Sequence, residues 1–534
     1  MSLTSLRSSQ TLANAALAGA LAALIVWAAP PGTDFAAHVF QLHVYLQHGF
    51  TIWTNYWYAG RYTFVDYSLI YYPLAALVGI RLLAVISVAA SAAAFTLVVR
   101  RTWGDSSVWV ARFFALATAA SLVTAAFPYG LGLAFALGAL VAIDRGRLVW
   151  FSLLAVACFA ASPLAFVFLI VVLAAVAVAR RSRGIKAPVV VLTSICVAGL
   201  VIARLFPDPG HYPFPLSELA AVLAFCAIGA ALTWRVESAK PLLVLFIAYA
   251  AVCIASYLIP TTMGGNVVRL RYAAVPVAIL VLSLRRWRPL PVAVIVLALA
   301  VSWNFSPLAY SFQSSANDPA SAQSYWQPAI NYLHDELIPD YRVEAVGTAD
   351  HWEAVYLPQA GIPIVRGWFR QDDFPQNEVL YDKLTPRSYL AWLRSLSVRF
   401  VVLSNAAPDY SSKSEVALLT SGRSGLSVVF RSTNFTIYRV PSPLPIVSGP
   451  GHPKVTALTE ATVVLKLSRP GKYHLGIRFS PYLRTPDGCV TEASDGMTTL
   501  TAPTAGTVDV AFSMSARGAL DALTGSHTTC SNEH

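Results

Sequence analysis

Residues 30–72 read PPGTDFAAHVFQLHVYLQHGFTIWTNYWYAGRYTFVDYSLIYY and stand between the first two apolar runs of the chain. The stretch is dense in aromatic residues and contains several charged or titratable side chains. A simple connection between two membrane helices is usually shorter and less aromatic. We therefore expect these residues to form structure of their own, with Asp34 as their most notable polar group.

The composition outside this stretch is that of a membrane protein. Of the 534 residues, 56% are hydrophobic and 12% are charged. The apolar residues are concentrated in the first ~300 positions, in runs long enough to cross a hydrocarbon core of about 30 Å. The remaining part has the mixed composition of a soluble domain. The net charge of +11 comes mostly from short connections between apolar runs, and no basic-aromatic pattern predicts nucleic-acid binding.

Apolar runs predict about eleven membrane spans, and the clusters of basic residues orient them. These clusters stand in every other connection, which predicts a multi-pass plasma-membrane protein with a cytoplasmic N-terminus and an extracytoplasmic C-terminal part. We interpret the first run as a retained helix, because its ~19 apolar residues exceed the usual core of a signal peptide. The clusters are Arg100-Arg101, Arg145 and Arg147, Arg180 to Lys186, Arg235 and Lys240, and Arg285 to Arg288. The predicted spans are 11–29, 74–99, 108–126, 130–143, two within 148–179, 187–205, 217–233, 240–258, 272–284 and 290–303.

The sequence divides into a transmembrane domain at 1–303 and a soluble part after it. Residues 304–322 are predicted to be a polar linker, and 323–441 alternate helical and strand-like patterns that predict a small α/β domain. Residues 442–534 carry short alternating strands and predict a β-sandwich-like module. Cys489 and Cys530 are the two cysteines of the soluble part, so an extracytoplasmic location favours a disulfide between them.

Familiar motifs for nucleotide, metal and hydrolase chemistry are missing from the sequence. It contains no P-loop, no GxGxxG after a strand, no HExxH, no CxxC and no GxSxG. ATP-driven transport and metalloprotease activity are therefore poorly supported. No cofactor is firmly predicted, and a divalent metal has no support from the spacing of acidic residues, histidines and cysteines.

The strongest chemical candidate is Asp34. It lies four residues before His38, and the two would share one face if Phe35 to Gln47 form a helix. The apolar face of that helix, which includes Val39 and Leu42, would lie at the membrane surface. A carboxylate there can take a proton from a hydroxyl as a general base. The alternative is that Asp34 caps the helix and His38 is an ordinary surface residue, and the residues alone leave both interpretations open.

Several motifs give the chain a family resemblance. The long, helical first outer loop with an acidic residue, followed by spans and a C-terminal outer domain, resembles the GT-C membrane glycosyltransferases. At finer detail the sequence is similar to a group of bacterial multi-span proteins that includes YfhO-like and 6-pyruvoyl-tetrahydropterin synthase-related membrane proteins. The motifs are Asp34-Phe-Ala-Ala-His38, Trp53-x-x-x-Trp57-Tyr58-Ala-Gly60, Tyr71-Tyr72-Pro73-Leu74, Gly265-Asn266-Val-Val-Arg269-Leu, Trp352, Arg366-Gly367-Trp368 and Tyr389-x-x-Trp392-Leu393.

The resemblance implies an inverting transferase that takes a sugar from a polyprenyl-phosphate donor. It implies that Asp34 is the base toward a glycan or glycolipid acceptor on the extracytoplasmic side. Arginine suits the lipid phosphate because its planar fork matches phosphate oxygens. Arg269 is the first candidate for this contact, and Arg271 and Arg204 are the next. Each of these arginines could equally reach the lipid head groups of the membrane.

Further residues are candidates for contacting the substrate. Trp53, Trp57 and Tyr58 could stack on sugar faces, or belong to an aromatic belt at the membrane interface. The remaining candidates, which are polar or aromatic residues of the same motifs and loops, are His38, Asp66, Asn266, Glu353, Arg366 and Trp368. For most residues of the outer domain, a solvated loop with a buried Trp is the simpler interpretation.

Two functions of other classes compete with the transferase. A non-catalytic envelope protein that binds or transports lipid or glycan would share the membrane cavity, the basic outer residues and the β-module. A sensor or assembly scaffold would not need its outer loops to converge on one point. The position of Asp34 relative to Arg269 therefore separates the scaffold from the other two.

Overall fold

The computed structural model describes residues 3–180, 185–208 and 210–530, with side chains from residue 9 onward. The predicted basic residues Arg181 and Arg183 lie outside the described residues. The chain forms two compact units. The first comprises Met1–Phe35, Tyr67–Gly199 and His211–Ala316, and the second comprises Ala36–Asp66, Leu200–Gly210 and Asn317–His534.

The first unit is helical because its sequence is a succession of long apolar runs. Nine stretches of the described residues are long and apolar enough to cross a membrane, and a shorter apolar helix covers Leu148–Ala161. One of the nine, Ile80–Thr124, contains two helices, so each of the eleven predicted spans corresponds to a helix. The helices up to residue 316 are α1 Leu3–Ala28, α2 Phe35–His48, α3 Tyr71–Val78, α4 Ile80–Trp103, α5 Val108–Ala120, α6 Phe127–Asp144, α7 Leu148–Ala161, α8 Pro163–Arg180, α9 Lys186–Leu205, α10 Leu216–Thr233, α11 Lys240–Leu258, α12 Ala274–Leu284 and α13 Leu290–Ser315.

The fold class predicted from sequence is confirmed: the chain is a polytopic helical membrane protein with C-terminal β-sheet domains. One boundary differs from the prediction. Residues 304–315, expected to be linker, continue α13 to Ser315. Polar residues do not by themselves end a helix outside the hydrocarbon core of the membrane. Relative to Ala, each Ser, Asn or Tyr lowers the stability of a helix by only a few tenths of a kcal/mol.

The stretch 30–72 is divided between the two units, with its middle part, 36–66, in the second. Its helix, α2, has the predicted extent to within one residue, and the side that packs into the protein is not the predicted membrane-facing one. His38, Phe40 and Gln41 are buried, whereas Val39 and Leu42 are only half-buried. After this helix, Trp53–Thr54 (β1) and Arg61–Tyr62 (β2) pair as a short antiparallel hairpin.

The α/β domain of the second unit is built on the sheet β3-β4-β6-β5, in which only β3 and β4 are parallel. Outside these strands, Ile364 forms an isolated parallel bridge to Val343. The strands are β3 Arg342–Ala345, β4 Val398–Ser404, β5 Ser427–Arg431 and β6 Phe435–Arg439, and the helices are α14 Gln323–Glu336, α15 Glu353–Gln359, α16 Pro386–Ser395 and α17 Lys413–Thr420.

The last part of the second unit is a sandwich of two antiparallel sheets, β12-β13-β10-β7 and β11-β14-β9-β8. Trp53 and Tyr62 of the early hairpin belong to its hydrophobic core. A disulfide joins Cys489 to Cys530, with 4.8 Å between the Cα atoms. The elements are β7 Val447–Ser448, β8 Lys454–Leu458, β9 Thr462–Leu467, β10 Gly471–Arg478, β11 Leu483–Arg484, β12 Cys489–Glu492, β13 Met497–Ala502, β14 Gly506–Phe512 and α18 Ala516–Thr524.

Candidate active site in the helical unit

Asp34 is the last residue before α2, and the turn that carries it is fixed by backbone contacts inside the first unit. The Asp34 N–H donates to the Thr124 carbonyl at 3.1 Å, and the Thr33 N–H donates to Ser311 Oγ at 3.2 Å. Gly32 has a φ of +81°, and a Cβ there would lie 2.4 Å from the Val123 carbonyl oxygen. Only glycine allows this close approach, so the turn at 32–34 is locked against the 3₁₀ helix Ser121–Thr124.

Arg269 lies in an unusual backbone segment, the 3₁₀ helix Gly264–Ala273. This helix is the first part of the apolar stretch Gly264–Leu284 and continues into α12, although 3₁₀ runs longer than about four residues are uncommon. The predicted span began only at residue 272. Its carbonyls are partly satisfied by side chains: Tyr249 Oη donates to Val267 O at 2.8 Å and Ser256 Oγ donates to Gly264 O at 2.9 Å. Non-α backbone at membrane depth is tolerated where it is buried in protein or lines a polar cavity.

These two segments bring the two leading candidates together. Arg269 Nη2 lies 3.2 Å from Asp34 Oδ2, and the two side chains are 19% and 14% exposed. Arg269 also donates a hydrogen bond to the Tyr67 hydroxyl, and burial raises the pKa of that hydroxyl. Tyr67 therefore stays a neutral phenol at physiological pH. The result is a half-buried carboxylate–guanidinium pair supported by a tyrosine, inside an apolar helical unit.

The other predicted basic residues are less closely engaged. Arg271 lies on the same 3₁₀ helix as Arg269, at 4.0 Å from Glu218 of α10. Asn266 is half-buried in that helix. Arg204 is exposed in the last turn of α9 and belongs to the second unit.

The three aromatic candidates are core residues of the second unit. Trp53 stacks on Phe512 with ring centroids 5.3 Å apart, and Trp57 stacks on Phe40 at 4.1 Å. The Tyr58 hydroxyl donates to the Phe369 carbonyl at 2.7 Å. All three candidates are at most 2% exposed. Because these aromatic rings are buried in the core, we revise their predicted role from sugar stacking to core packing.

The remaining candidates also lie in the second unit. His38 is fully buried, which excludes the surface position considered for it. Asp66 pairs with Arg61, and burial raises the pKa of its carboxyl to about 6. Trp368 is half-buried and lies against Phe369, with 5.3 Å between the ring centroids.

Glu353 and Arg366 of the α/β domain are satisfied internally. Glu353 accepts from Thr348 Oγ1 at 2.6 Å, and Arg366 donates to Glu344 and to Glu415. Both glutamates paired with Arg366 are fully buried. We therefore revise the prediction that Arg366 contacts substrate: its fork is occupied by two carboxylates, so its role is to hold the domain together.

Tyr67 is a residue of the site that the sequence did not reveal. It stands beside Asp66 in the same aromatic stretch, but no motif or spacing separates it from its tyrosine neighbours. The contact between Arg61 and Asp372 of the second unit was not predicted either, because no local pattern links residues so far apart in the sequence. Their side chains meet at 2.5 Å although they are 311 residues apart.

Comparison with known proteins gives structural likeness only. No protein-family model matches the chain, and no curated protein sequence matches it, so the resemblance to the YfhO-like group stays a prediction. Solved structures that are similar include the arabinofuranosyltransferase AftD from Mycobacteria, with a TM-score of 0.47 and 16% identity over 81% of this chain. This chain spans 40% of the length of AftD.

Two further solved structures resemble the chain. ArnT from Cupriavidus metallidurans, bound to undecaprenyl phosphate, has a TM-score of 0.36 and 13% identity, over 82% of this chain and 97% of ArnT. The oligosaccharyltransferase AglB from Archaeoglobus fulgidus, in complex with an inhibitory peptide and a dolichol-phosphate, has a TM-score of 0.35 and 14% identity, over 75% of this chain and 69% of AglB. All three TM-scores are below 0.5, so these likenesses by themselves assign no activity to the chain.

Proposed function

We propose that the chain is a membrane glycosyltransferase. It transfers a sugar from a polyprenyl-phosphate donor to a glycan or glycolipid acceptor on the extracytoplasmic side, with Asp34 as the general base. The observation that carries this proposal is the 3.2 Å approach of Arg269 to Asp34 within the apolar helical unit. A base that accepts the proton of the acceptor hydroxyl and a cation that binds the phosphate are two groups that this reaction uses.

The reaction assigns a separate task to each group. As the acceptor hydroxyl attacks the anomeric carbon, its proton passes to a carboxylate oxygen of Asp34. The bond between the anomeric carbon and the phosphate oxygen breaks, and its electron pair leaves on the polyprenyl phosphate. Arg269 stabilises that developing charge with N–H groups beyond those directed at Asp34 and Tyr67, since a guanidinium carries five. A single displacement of this kind inverts the anomeric centre.

The pairing of the two groups also sets how the donor enters. A guanidinium held against a carboxylate has lost part of its attraction for phosphate, so an incoming phosphate competes with Asp34 for Arg269. Binding of the donor would then loosen Asp34 from Arg269 and free the carboxylate for the acceptor hydroxyl. This ordering predicts that the donor binds first.

The test uses full-length protein in lipid nanodiscs with labelled polyprenyl-phosphate sugars and a membrane-glycan extract as acceptor. Asp34→Asn should lower transfer by about 10²–10⁴-fold, the usual contribution of general base catalysis. Arg269→Lys keeps the charge but loses the fork, and should chiefly weaken donor binding. Release of polyprenyl phosphate that depends on acceptor is the readout.

The matched control is Asp144→Asn. Asp144 also pairs with an arginine, Arg101 at 2.7 Å, but at the far end of α6. The near end of α6 is Phe127, whose ring lies 6.0 Å from that of Phe35, next to Asp34. The 18 residues of α6 span about 27 Å, so this variant should keep wild-type transfer. Wild-type transfer by Asp34→Asn would rule out the base assignment, and donor binding without any transfer by the wild type would favour the non-catalytic lipid-binding function.

A further inference from the structure

Three carboxylates from distant parts of the sequence converge in the second unit. One side-chain oxygen each from Asp66, Asp208 and Asp372 lies within 4.8 Å of the others. Asp66 ends the early stretch 36–66, Asp208 follows α9, and Asp372 lies in the 3₁₀ helix Arg370–Asp373. Positions 66, 208 and 372 follow no metal-binding spacing, so the cluster could not be recognised before the fold was known.

The chain is built to let these segments approach closely. A Cβ on Gly210 would lie 2.3 Å from the Gln371 carbonyl oxygen, so a side chain at this position would push the Asp208 segment away from Asp372. The Gly210 N–H donates to Asp208 Oδ1 at 2.9 Å, which fixes the orientation of that carboxylate. The juxtaposition is therefore held by the backbone.

The hydrogen bonds of the cluster leave one oxygen of each carboxylate unused. Arg61 donates to Asp372 Oδ2 at 2.5 Å and to Asp66 Oδ2. Asp66 Oδ1, Asp208 Oδ2 and Asp372 Oδ1 are buried and have no hydrogen-bond partner. Asp372 is only 2% exposed, so water does not freely solvate its unpaired oxygen. Unsatisfied buried carboxylate oxygens are costly, and each of the three converging residues carries one, which favours a cation.

The charge of the cluster supports the same conclusion. Three carboxylates face Arg61 and Arg478, so two positive charges stand against three negative ones. The two arginines therefore do not fully offset the cost of burying the acids.

We propose that Asp66, Asp208 and Asp372 bind one divalent cation, and that this cation is Ca²⁺. Carboxylate oxygens are the ligands that Ca²⁺ prefers, at about 2.3–2.6 Å, so two oxygens on it can lie up to about 5 Å apart. Mg²⁺ holds its ligands at about 2.0–2.1 Å, which limits their separation to about 4.2 Å. The 4.8 Å limit of this cluster suits the larger ion. All three residues belong to the second unit.

The bound ion would cross-link three segments of the second unit that lie far apart in the sequence. It would hold the stretch 36–66 and the segment Leu200–Gly210 to the α/β domain. Loss of the ion should therefore lower the thermal stability of this unit and increase exchange of its amides with solvent.

Asp208→Asn is the decisive variant. Its amide oxygen can still accept from the Gly210 N–H, and Arg61 keeps its pairs with Asp66 and Asp372. Full-length protein is stripped with EDTA and titrated with Ca²⁺ and, separately, Mg²⁺ by calorimetry, from about 10 μM to 10 mM, a range that covers extracellular Ca²⁺ modules. We expect one Ca²⁺ site per chain, and the variant should bind at least about tenfold more weakly because ligand charge sets the affinity.

Asp521→Asn is the control in the same unit. Asp521 pairs with Arg484 at 3.1 Å and lies outside the cluster, so this variant should bind Ca²⁺ as the wild type does. Ca²⁺ should raise the melting temperature of the wild type and of this control but not of Asp208→Asn. Absence of saturable Ca²⁺ binding to the wild type, or equal binding by Asp208→Asn, would overturn the site. Tighter binding of Mg²⁺ than of Ca²⁺ would overturn the choice of ion.

Discussion

Arg366 offers a sharp test of whether a motif residue serves the fold or a ligand. It is 8% exposed and donates to Glu344 at 2.8 Å and to Glu415 at 2.9 Å. Both glutamates are fully buried, and Tyr389 Oη also donates to Glu415 at 2.6 Å. Arg366→Met keeps a side chain of similar length but leaves two buried carboxylates without their cation.

The expected cost follows from this geometry. Removing one partner of a buried ion pair typically costs about 3–5 kcal/mol, because the other charge stays buried and unpaired. Burial raises the pKa of Glu344 in the wild type, and loss of the Arg366 charge should raise it further in the variant. Since the unfolded state then binds fewer protons than the native state, the loss of stability should grow as the pH rises.

Hydrogen exchange of the amides in β3 and β4 of the full-length protein measures this loss. A cost of about 3–5 kcal/mol lowers their protection by roughly 10²–10³·⁵-fold where exchange requires opening of the whole domain. Glu344→Gln added to Arg366→Met should restore part of the protection, because it removes one of the two unpaired acids. Arg387→Met, at an exposed position of α16, should change stability by no more than about 0.5 kcal/mol. Wild-type protection in Arg366→Met, together with loss of acceptor binding, would refute the structural role.

Three further predictions follow from other contacts. Burial raises the pKa of Glu460 from 4.5 to about 7, so its native state keeps a proton that the unfolded chain releases, and stability should fall by roughly 3 kcal/mol as the pH rises from about 4.5 to 7. Glu460→Gln should abolish that slope in unfolding measurements at pH 5 and pH 8, and an unchanged slope would exclude Glu460 as its source. Gly32→Ala should lower sugar transfer by about 10–100-fold through displacement of Asp34, whereas Gly49→Ala, with a φ of +68° and open space around it, should not; equal losses would contradict the reasoning. Replacing Cys489 and Cys530 by Ser opens a loop of 41 residues and should cost about 4 kcal/mol in the chain-entropy model, measured as a lower melting temperature of the oxidised protein; no change in melting would count against it.

Local sequence predicted the helices and most strands because their signals are local. Runs of apolar residues predicted the spans, and alternating residues predicted short strands in the last domain, such as β9 and β14. The extension of α13 to Ser315 escaped prediction because a polar composition says little about where a helix ends without a capping or breaking residue.

The site depends on contacts that no local pattern encodes. Arg269 reaches Asp34 across 235 residues, and the two were linked in advance only through a family resemblance and the shared predicted side of the membrane. The burial of Trp53 could not be foreseen, because the ring that stacks on it belongs to Phe512, near the far end of the chain. The partners of Arg366, Glu344 and Glu415, likewise stand on separate elements, β3 and α17. In each case the decisive partner is a residue that only the tertiary fold brings near.

The burial of the early hairpin in the core of the last domain has a consequence for biogenesis. Trp53 and Tyr62 are synthesised some 450 residues before Phe512, which lies against both in the finished sandwich. At about 5–20 residues per second, this leaves these aromatics without their partner for roughly 20–90 seconds. During that interval the nascent chain exposes an aromatic segment outside its helices, so biogenesis of this protein should depend on a chaperone or on the membrane surface to shield it. Mutations that slow synthesis or folding of the C-terminal sandwich should therefore appear first as aggregation or degradation of newly made protein.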